Sequence, residues 1–461
     1  MLRAFTFDRL LLTLFCLAIT VACGLTRIQT DTWWQLRAGK DMWASRSVLL
    51  TDIYSHTSFG QPWPNHEWLS EVIFYGLYRV GGFPLLTLSA AALILGGWLV
   101  SWSMAQGGAR WRFAWMVFAL LPASMWWEPR PHAFSLLFIP TTVLLLSSGR
   151  WAWLVPVFFL WANCHGGVLL GFVLLAAGLG TQVLLNPNKL WRALIVLGCC
   201  AIAATATPLG ISFWTEIPAS LARIRLYPLD EWQRPKLLDI RVLPFWLLAA
   251  AFCYGLVRTL ATLRRTRPDV VTIYACAAVL LPMALSAIRS VGPFLMIATP
   301  ALTWLFARSA QPAATVSTRR ERPLLNLTVA IVAVISVFVT ITRAYSSQLP
   351  RLHWSPIPSG AVAAFPQCPD NLYNRYDEGG SLLWFVPDRK VFMDGRQDPF
   401  PPELVLEHIR METGEEDFRQ VFARHNIHCA YLPSYSATAQ RLLRAGWQPL
   451  YRDADWLLLR D

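Results

Sequence analysis

Eleven apolar stretches, at 10–25, 84–104, 113–127, 133–146, 151–162, 168–185, 193–207, 242–257, 270–288, 293–307 and 324–342, run on without the alternation of a half-buried soluble element. A chain of this length cannot hide them all from water. A bilayer accommodates them as helices, because each backbone amide and carbonyl then finds its partner within its own segment. Composition agrees, with 55% of the 461 residues hydrophobic and only 15% charged. The expected fold is a polytopic α-helical membrane protein with about 11 transmembrane helices.

Several stretches fall short of the ~20 residues an isolated spanning helix needs, so the count rests on where Lys and Arg lie. With a cytoplasmic N-terminus, the inner segments hold Arg3, Arg9, Arg110, Arg112, Arg150, Lys189, Arg192, Arg258, Arg264, Arg265, Arg267, Arg308, Arg319, Arg320 and Arg322, against Asp8, Asp269 and Glu321. The whole net charge of +12 then lies inside and the outer segments are balanced, as the positive-inside rule requires. The basic balance is a topology signal and gives no support to nucleic-acid binding. All eight histidines fall outside. Because Arg150 and Lys189 are both inner, the region between them is read as a hairpin of two short spans turning at 163–167. No small-residue cleavage site follows the first stretch, which is read as a retained helix of a multi-pass protein in the bacterial inner membrane.

The first outer loop, 26–82, is long, and its 67–80 part places apolar residues at helical spacing, as an interfacial helix would. A second long outer loop, 209–241, carries Arg223, Arg225, Asp230, Glu231, Trp232, Arg234 and Lys236. Composition divides the chain into a transmembrane domain at 1–343 and an extracytoplasmic, periplasmic α/β domain at 344–461. In the latter, strand-like runs lie at 390–393, 429–432, 447–451 and 456–459, and helical patterns at 402–411, 415–425 and 437–445. Of nine cysteines, Cys368 and Cys429 alone share this oxidising compartment, which makes them candidates for a disulfide.

The residues able to do chemistry cluster on the outer side. Asp31 follows the first stretch, at a depth where a carboxylate can take a proton from a hydroxyl nucleophile or simply cap a helix. Glu128, Arg130 and His132 form a turn between two stretches of about 15 residues, too short for the hydrocarbon core; charges so placed line a polar cavity or pair with each other. The turn Trp161-Ala162-Asn163-Cys164-His165-Gly166-Gly167 offers Asn163 and His165 beside two glycines that permit close approach of a ligand. His66, Glu67, Asp230, Glu231 and Arg289 share this side, and Arg289 suits a phosphate or a snorkelling interfacial position. The histidines and carboxylates suggest a possible divalent metal, although no spacing matches a metal motif. Trp34 and its aromatic neighbours suit an interfacial belt or stacking on sugar rings.

A carboxylate just after the first span, a long first outer loop with an interfacial helix, and a second acidic motif between spans three and four resemble the C-type (GT-C) membrane glycosyltransferases. The chain is also similar to a group of poorly characterised bacterial membrane proteins with D-x-W-W-H-L, H-E-W-L, R-P-x-x-F-S, W-x-N-x-H-G-G and D-G-R elements. These read here as 31–36, 66–69, 130–135, 161–167 and Asp394-Gly395-Arg396, with Gln35 where a titrating His is expected. The resemblance implies a GT-C-like fold and transfer of a sugar from a polyprenyl-phosphate donor to a glycan, lipid or protein acceptor. It matches Asp31 and Glu128 to the catalytic acidic positions. Arg130 and Arg289 would neutralise the leaving phosphate, with Trp34, His66, Glu67, His132, Asn163 and His165 lining the substrate. Two rival readings are a non-catalytic membrane scaffold or carrier that binds envelope glycan or lipid, and a glycan ligase or polymerase using a lipid-linked oligosaccharide.

Overall fold

The structure, a computed structural model, describes residues 5–223, 229–309, 321–347, 352–369 and 371–461. Arg3, Arg225, Arg319 and Arg320 lie outside the described residues. Every apolar stretch of the sequence folds as helix. Among the described residues, 8 helices are long and apolar enough to cross a membrane: Phe7–Gly24, Trp68–Met104, Val168–Leu185, Pro187–Thr205, Leu243–Ala261, Pro268–Ser286, Ile288–Leu305 and Pro323–Ser346. Three more, Ala109–Ala123, His132–Ser147 and Leu154–Cys164, are shorter, at 15, 16 and 11 residues.

The chain forms two compact units, each interrupted in sequence. The first holds 1–26, 81–206 and 229–352, and the second 27–80, 207–228 and 353–461. Composition suggests one boundary near 343, whereas packing places nearly all of the first outer loop and the first part of the second with the C-terminal residues, and keeps 229–241 in the first unit. The helix Trp68–Met104 breaks between the units at Gly81 and Gly82, and Gly82 takes φ 61°, ψ −156°, a conformation open to glycine alone. The break separates the amphipathic 67–80 stretch from the apolar 84–104 run.

In the first unit, helices approach one another at small residues, as apolar bundles without a hydrophobic drive between their members must. At Gly97 a β-carbon would come within 2.1 Å of the Leu136 carbonyl oxygen in His132–Ser147. Tyr274 donates to the Ala301 carbonyl at 3.0 Å, tying Pro268–Ser286 to the next helix.

The second unit contains a small sheet of four strands, β1 (Leu372–Asn374), β2 (Cys429–Pro433), β3 (Gln448–Arg452) and β4 (Trp456–Arg460), in the order β1-β2-β4-β3. β1 and β2 are parallel; β4 runs antiparallel to both β2 and β3. Helices Pro402–Thr413, Phe418–Arg424 and Ala437–Arg444 lie where the sequence periodicity puts them. The expected strand at 390–393 stays out of the sheet and makes a single parallel bridge, Ser55 to Val391. Val391 pairs with the backbone of Tyr54 and His56, Thr57 Oγ1 donates to the Phe392 carbonyl, Asn374 Oδ1 accepts from Phe392 N at 2.8 Å, and Asn374 Nδ2 donates to the Met393 carbonyl at 2.7 Å. Cys368 and Cys429 are joined in a disulfide with Cα atoms 5.7 Å apart, which ties the segment before β1 to β2. Trp34, Met42, Tyr54 and Trp63 of the first loop share one core with Phe365, Leu382, Tyr431 and Leu458. Burying each such side chain is worth about 1.5–3 kcal/mol, so the loop is a folded part of this unit.

Candidate active site

Asp31 lies in the first turn of helix Thr30–Ser45, where unpaired backbone N–H groups favour a carboxylate. Residues three apart share a helix face. Trp34 accordingly reaches back, and its indole Nε1 donates to Asp31 Oδ1 at 3.2 Å. Trp34 itself sits in the core, 6% exposed, with its ring edge-on to Trp63 at 6.0 Å. The geometry gives it the task of orienting the carboxylate.

The late D-G-R element comes to the same place. A β-carbon at Gly395 would stand 2.0 Å from Asp31 Oδ1 and 3.1 Å from Trp34 Nε1, so glycine is the residue that lets the carboxylate rest there. Gly380 is similarly close to the first turn of that helix, its absent β-carbon 2.3 Å from the Thr30 carbonyl oxygen. Arg396 is fully engaged in the fold. Its Nε and Nη2 donate to Asp394 at 2.8 and 2.7 Å, and Nη1 pairs with Asp52 Oδ1 at 2.7 Å, with all three side chains wholly buried. Its guanidinium also faces Trp63 at 4.8 Å and Tyr54 at 5.0 Å.

Beyond the first turn, Gln35 Nε2 donates to Glu67 Oε2 at 3.1 Å, so the amide fills the place of the expected His as a hydrogen-bond donor. His66 Nδ1 lies 3.2 Å from the Pro64 carbonyl oxygen. A carbonyl can only accept, so Nδ1 carries a proton. The same ring is 3.9 Å from both Glu67 Oε1 and Asp398 Oδ2. Asp398, which the sequence reading did not single out, is buried beside this ring. Burial pushes its carboxyl up, against the pull of His66, Ser220 and Arg223. Arg223, from the second outer loop, donates to the Asp398 carbonyl at 3.0 Å.

The first unit holds a second polar cluster. Glu128 is buried in the turn before His132–Ser147, and its Oε2 lies 3.3 Å from Arg130 Nη1. The same nitrogen is 3.5 Å from Glu231 Oε2. Arg289 Nη1 is 2.5 Å from Glu231 Oε1, and its guanidinium lies over the Trp232 ring at 4.7 Å. Two segments carry these groups, Asp230–Trp232 and Ile288–Ser290, and they are joined by a hydrogen bond from Ile288 N to the Gln233 carbonyl at 2.9 Å. Four candidates from separate parts of the sequence thus form one charge-balanced group. His132 lies close enough to feel the charges of Arg130, Arg289 and Glu231, with its Nε2 2.7 Å from the Trp126 carbonyl oxygen.

In the glycine turn, His165 Nδ1 accepts from Gly167 N at 3.1 Å and lies 2.7 Å from Ser135 Oγ, which accepts from Trp161 Nε1 at 2.7 Å. An Nδ1 that accepts a backbone N–H carries no proton, so the neutral ring bears its hydrogen on Nε2. A β-carbon at Gly167 would come within 2.5 Å of Ser135 Oγ and 2.6 Å of His165 Nδ1. Asn163 has a structural bond, its Nδ2 donating to the carbonyls of Phe159 at 2.9 Å and Ala206 at 3.1 Å. Among the described residues no three His, Cys, Asp or Glu side chains come together as a metal-holding group.

No protein-family model matches the chain, and no curated relative does either. Solved structures do match. The chain is similar to ArnT from Cupriavidus metallidurans bound to undecaprenyl phosphate, with a TM-score of 0.51 at 15% identity over 97% of each chain. It is also similar to the oligosaccharyltransferase AglB from Archaeoglobus fulgidus in complex with an inhibitory peptide and a dolichol-phosphate, with a TM-score of 0.53 at 11% identity over 91% of this chain and 69% of that one. The apo form of the Archaeoglobus fulgidus oligosaccharyltransferase gives a TM-score of 0.55 at 12% identity over 92% and 69%. Both neighbours belong to the GT-C superfamily. At such identities the likeness is one of architecture: this chain has a GT-C-like membrane fold with a small C-terminal α/β sheet.

Proposed function

We propose that the protein is an inverting membrane glycosyltransferase that moves a sugar from a polyprenyl-phosphate-linked donor to an acceptor hydroxyl, on the periplasmic face of the bacterial inner membrane. The observation that carries this reading is the Asp31 carboxylate, seated between the Trp34 indole and Gly395 in a fold of GT-C type. Asp31 takes the acceptor proton as the oxygen attacks the anomeric carbon. Arg130 and Arg289 neutralise the leaving phosphate, and Glu128 holds Arg130 in place. His165 presents Nε2–H as a donor to a sugar or phosphate oxygen. The acceptor class is a glycan, a lipid or a protein. A divalent ion at Glu128 would have to displace the Arg130 guanidinium, so charge neutralisation is assigned to the arginines.

The test is the lipid that the full-length protein carries through purification. Mass spectrometry of its extract is expected to find polyprenyl phosphate or its glycosylated form. An extract of phospholipid alone, from a protein that also fails to bind added undecaprenyl phosphate, would contradict the proposal and favour a scaffold.

A further inference from the structure

Glu231 has no part in the transfer as described, yet it sits at the centre of the arginine cluster. Its two oxygens face two guanidinium groups, Oε1 2.5 Å from Arg289 and Oε2 3.5 Å from Arg130. Two oxygens bridging two guanidinium groups is the arrangement in which a phosphate would be bound. Burial pushes the Glu231 carboxyl up, but Arg130 and Arg289 outweigh it and hold the group below the usual carboxylate range. The carboxylate is therefore charged at neutral pH and protonation does not open the cluster. Arg289, Arg130 and Glu231 are each partly exposed, at 24%, 17% and 14% of their side-chain surface, so an incoming anion can reach them.

The charge balance of the transfer gives this arrangement a purpose. The acceptor oxygen bonds to the anomeric carbon and its proton goes to Asp31. The bond from that carbon to the phosphate oxygen breaks, and its electron pair stays on the phosphate. The phosphate leaves with one more negative charge than it brought, a diester becoming a monoester of about −1.5 to −2 at neutral pH. Two guanidinium groups that neutralise this charge bind the product more tightly than the donor, and release then limits turnover.

We infer that Glu231 is a built-in competitor of the leaving phosphate, a positioning residue that recaptures Arg289 and Arg130 after transfer and so releases the polyprenyl phosphate. The inference rests on the reading of Arg130 and Arg289 as the phosphate-binding pair. A site that must first give up its Glu231 contacts binds anions less tightly, in proportion to the fraction of time it is open. Release is fast for the same reason.

The experiment measures undecaprenyl phosphate binding by the full-length protein, thermal unfolding with and without that lipid, and steady-state kinetics, for the wild type, Glu231→Gln and Arg289→Ala. Glu231→Gln is expected to bind about tenfold or more tightly, since one charge-assisted contact no longer has to be broken. Without lipid it should melt lower than wild type, because two guanidinium groups lose a counter-ion, and it should gain more from added lipid. Its KM and kcat should fall together, as slowed release requires. Binding that is unchanged or weaker in Glu231→Gln overturns the inference, and weaker binding would assign Glu231 to holding Arg289 in place. Arg289→Ala tests the underlying reading separately. If it binds as wild type does, or if the wild type does not bind, the phosphate assignment fails and the inference fails with it. If Arg289→Ala weakens binding and Glu231→Gln does not tighten it, the release role alone fails. Should Glu231→Gln not yield monodisperse protein, Glu231→Asp draws the carboxylate back from Arg289. It is expected to bind more tightly than wild type, and equal or weaker binding overturns the inference.

Discussion

Gly395 and the carboxylate of Asp31 meet at a point where no side chain fits, since a β-carbon at Gly395 would lie 2.0 Å from Oδ1. Gly395→Ala must therefore move the carboxylate away from the Trp34 indole without changing its chemistry. A misplacement on the scale of an ångström costs ~100-fold in rate, so turnover should fall by about that much in a protein that remains monodisperse. Turnover at the wild-type level would show that the position of Asp31 is not set by Gly395.

Arg396 and Arg289 should behave oppositely. Arg396→Ala leaves Asp52 and Asp394 buried without their cation, and breaking a buried pair costs about 3–5 kcal/mol. Loss of folded protein or a large drop in melting temperature is expected. Arg289→Ala should instead keep the fold and weaken polyprenyl-phosphate binding, with Arg289→Lys in between because charge survives but the fork does not. A stable Arg396→Ala protein that has lost donor binding would move the D-G-R arginine into the site.

Glu378 gives a pH test of the second unit. Burial raises its carboxyl to about 7, with Arg375 pulling the other way through contacts at 3.0 and 3.2 Å. The folded state therefore holds this proton above the ordinary value of 4.5. Stability from the group is complete below that value and is lost as pH rises through about 7. Glu378→Gln should remove this contribution, so the wild type should lose melting temperature relative to the variant between those limits. Parallel curves for the two proteins would contradict the assignment.

Orientation is tested with a reporter fused after Thr342 or at Asp461. Activity confined to the periplasm is expected, and cytoplasmic activity would overturn the topology.

The apolar stretches were legible because each needs only local sequence to become a helix, and so were the helices of the C-terminal region, whose apolar period is local too. β1 was not, because three residues carry no period. The run at 390–393 looks like a strand and is not one, because Tyr54, His56 and Thr57 of the first loop and the Asn374 side chain take its backbone groups. The site was legible as a set of residues and not as an arrangement. Glu231 and Arg289 are 58 residues apart, and nothing in either segment announces the other. Asp52 reads as an ordinary loop residue until Arg396 is placed against it. The interleaving of the first outer loop and the first part of the second with the C-terminal residues depends on such long-range contacts, which composition cannot express.

The central claim is sugar transfer with Asp31 as the base. It is tested most directly by the turnover of a labelled polyprenyl-phosphate sugar by purified, membrane-inserted wild type and Asp31→Asn, with donor affinity measured in parallel. Asp31→Asn keeps the shape of the side chain and an oxygen for the Trp34 indole, so fold and donor binding should persist. Turnover should fall ~100- to 10,000-fold, the usual cost of losing a positioned general base. An Asp31→Asn protein that turns over within a few-fold of wild type would contradict the account.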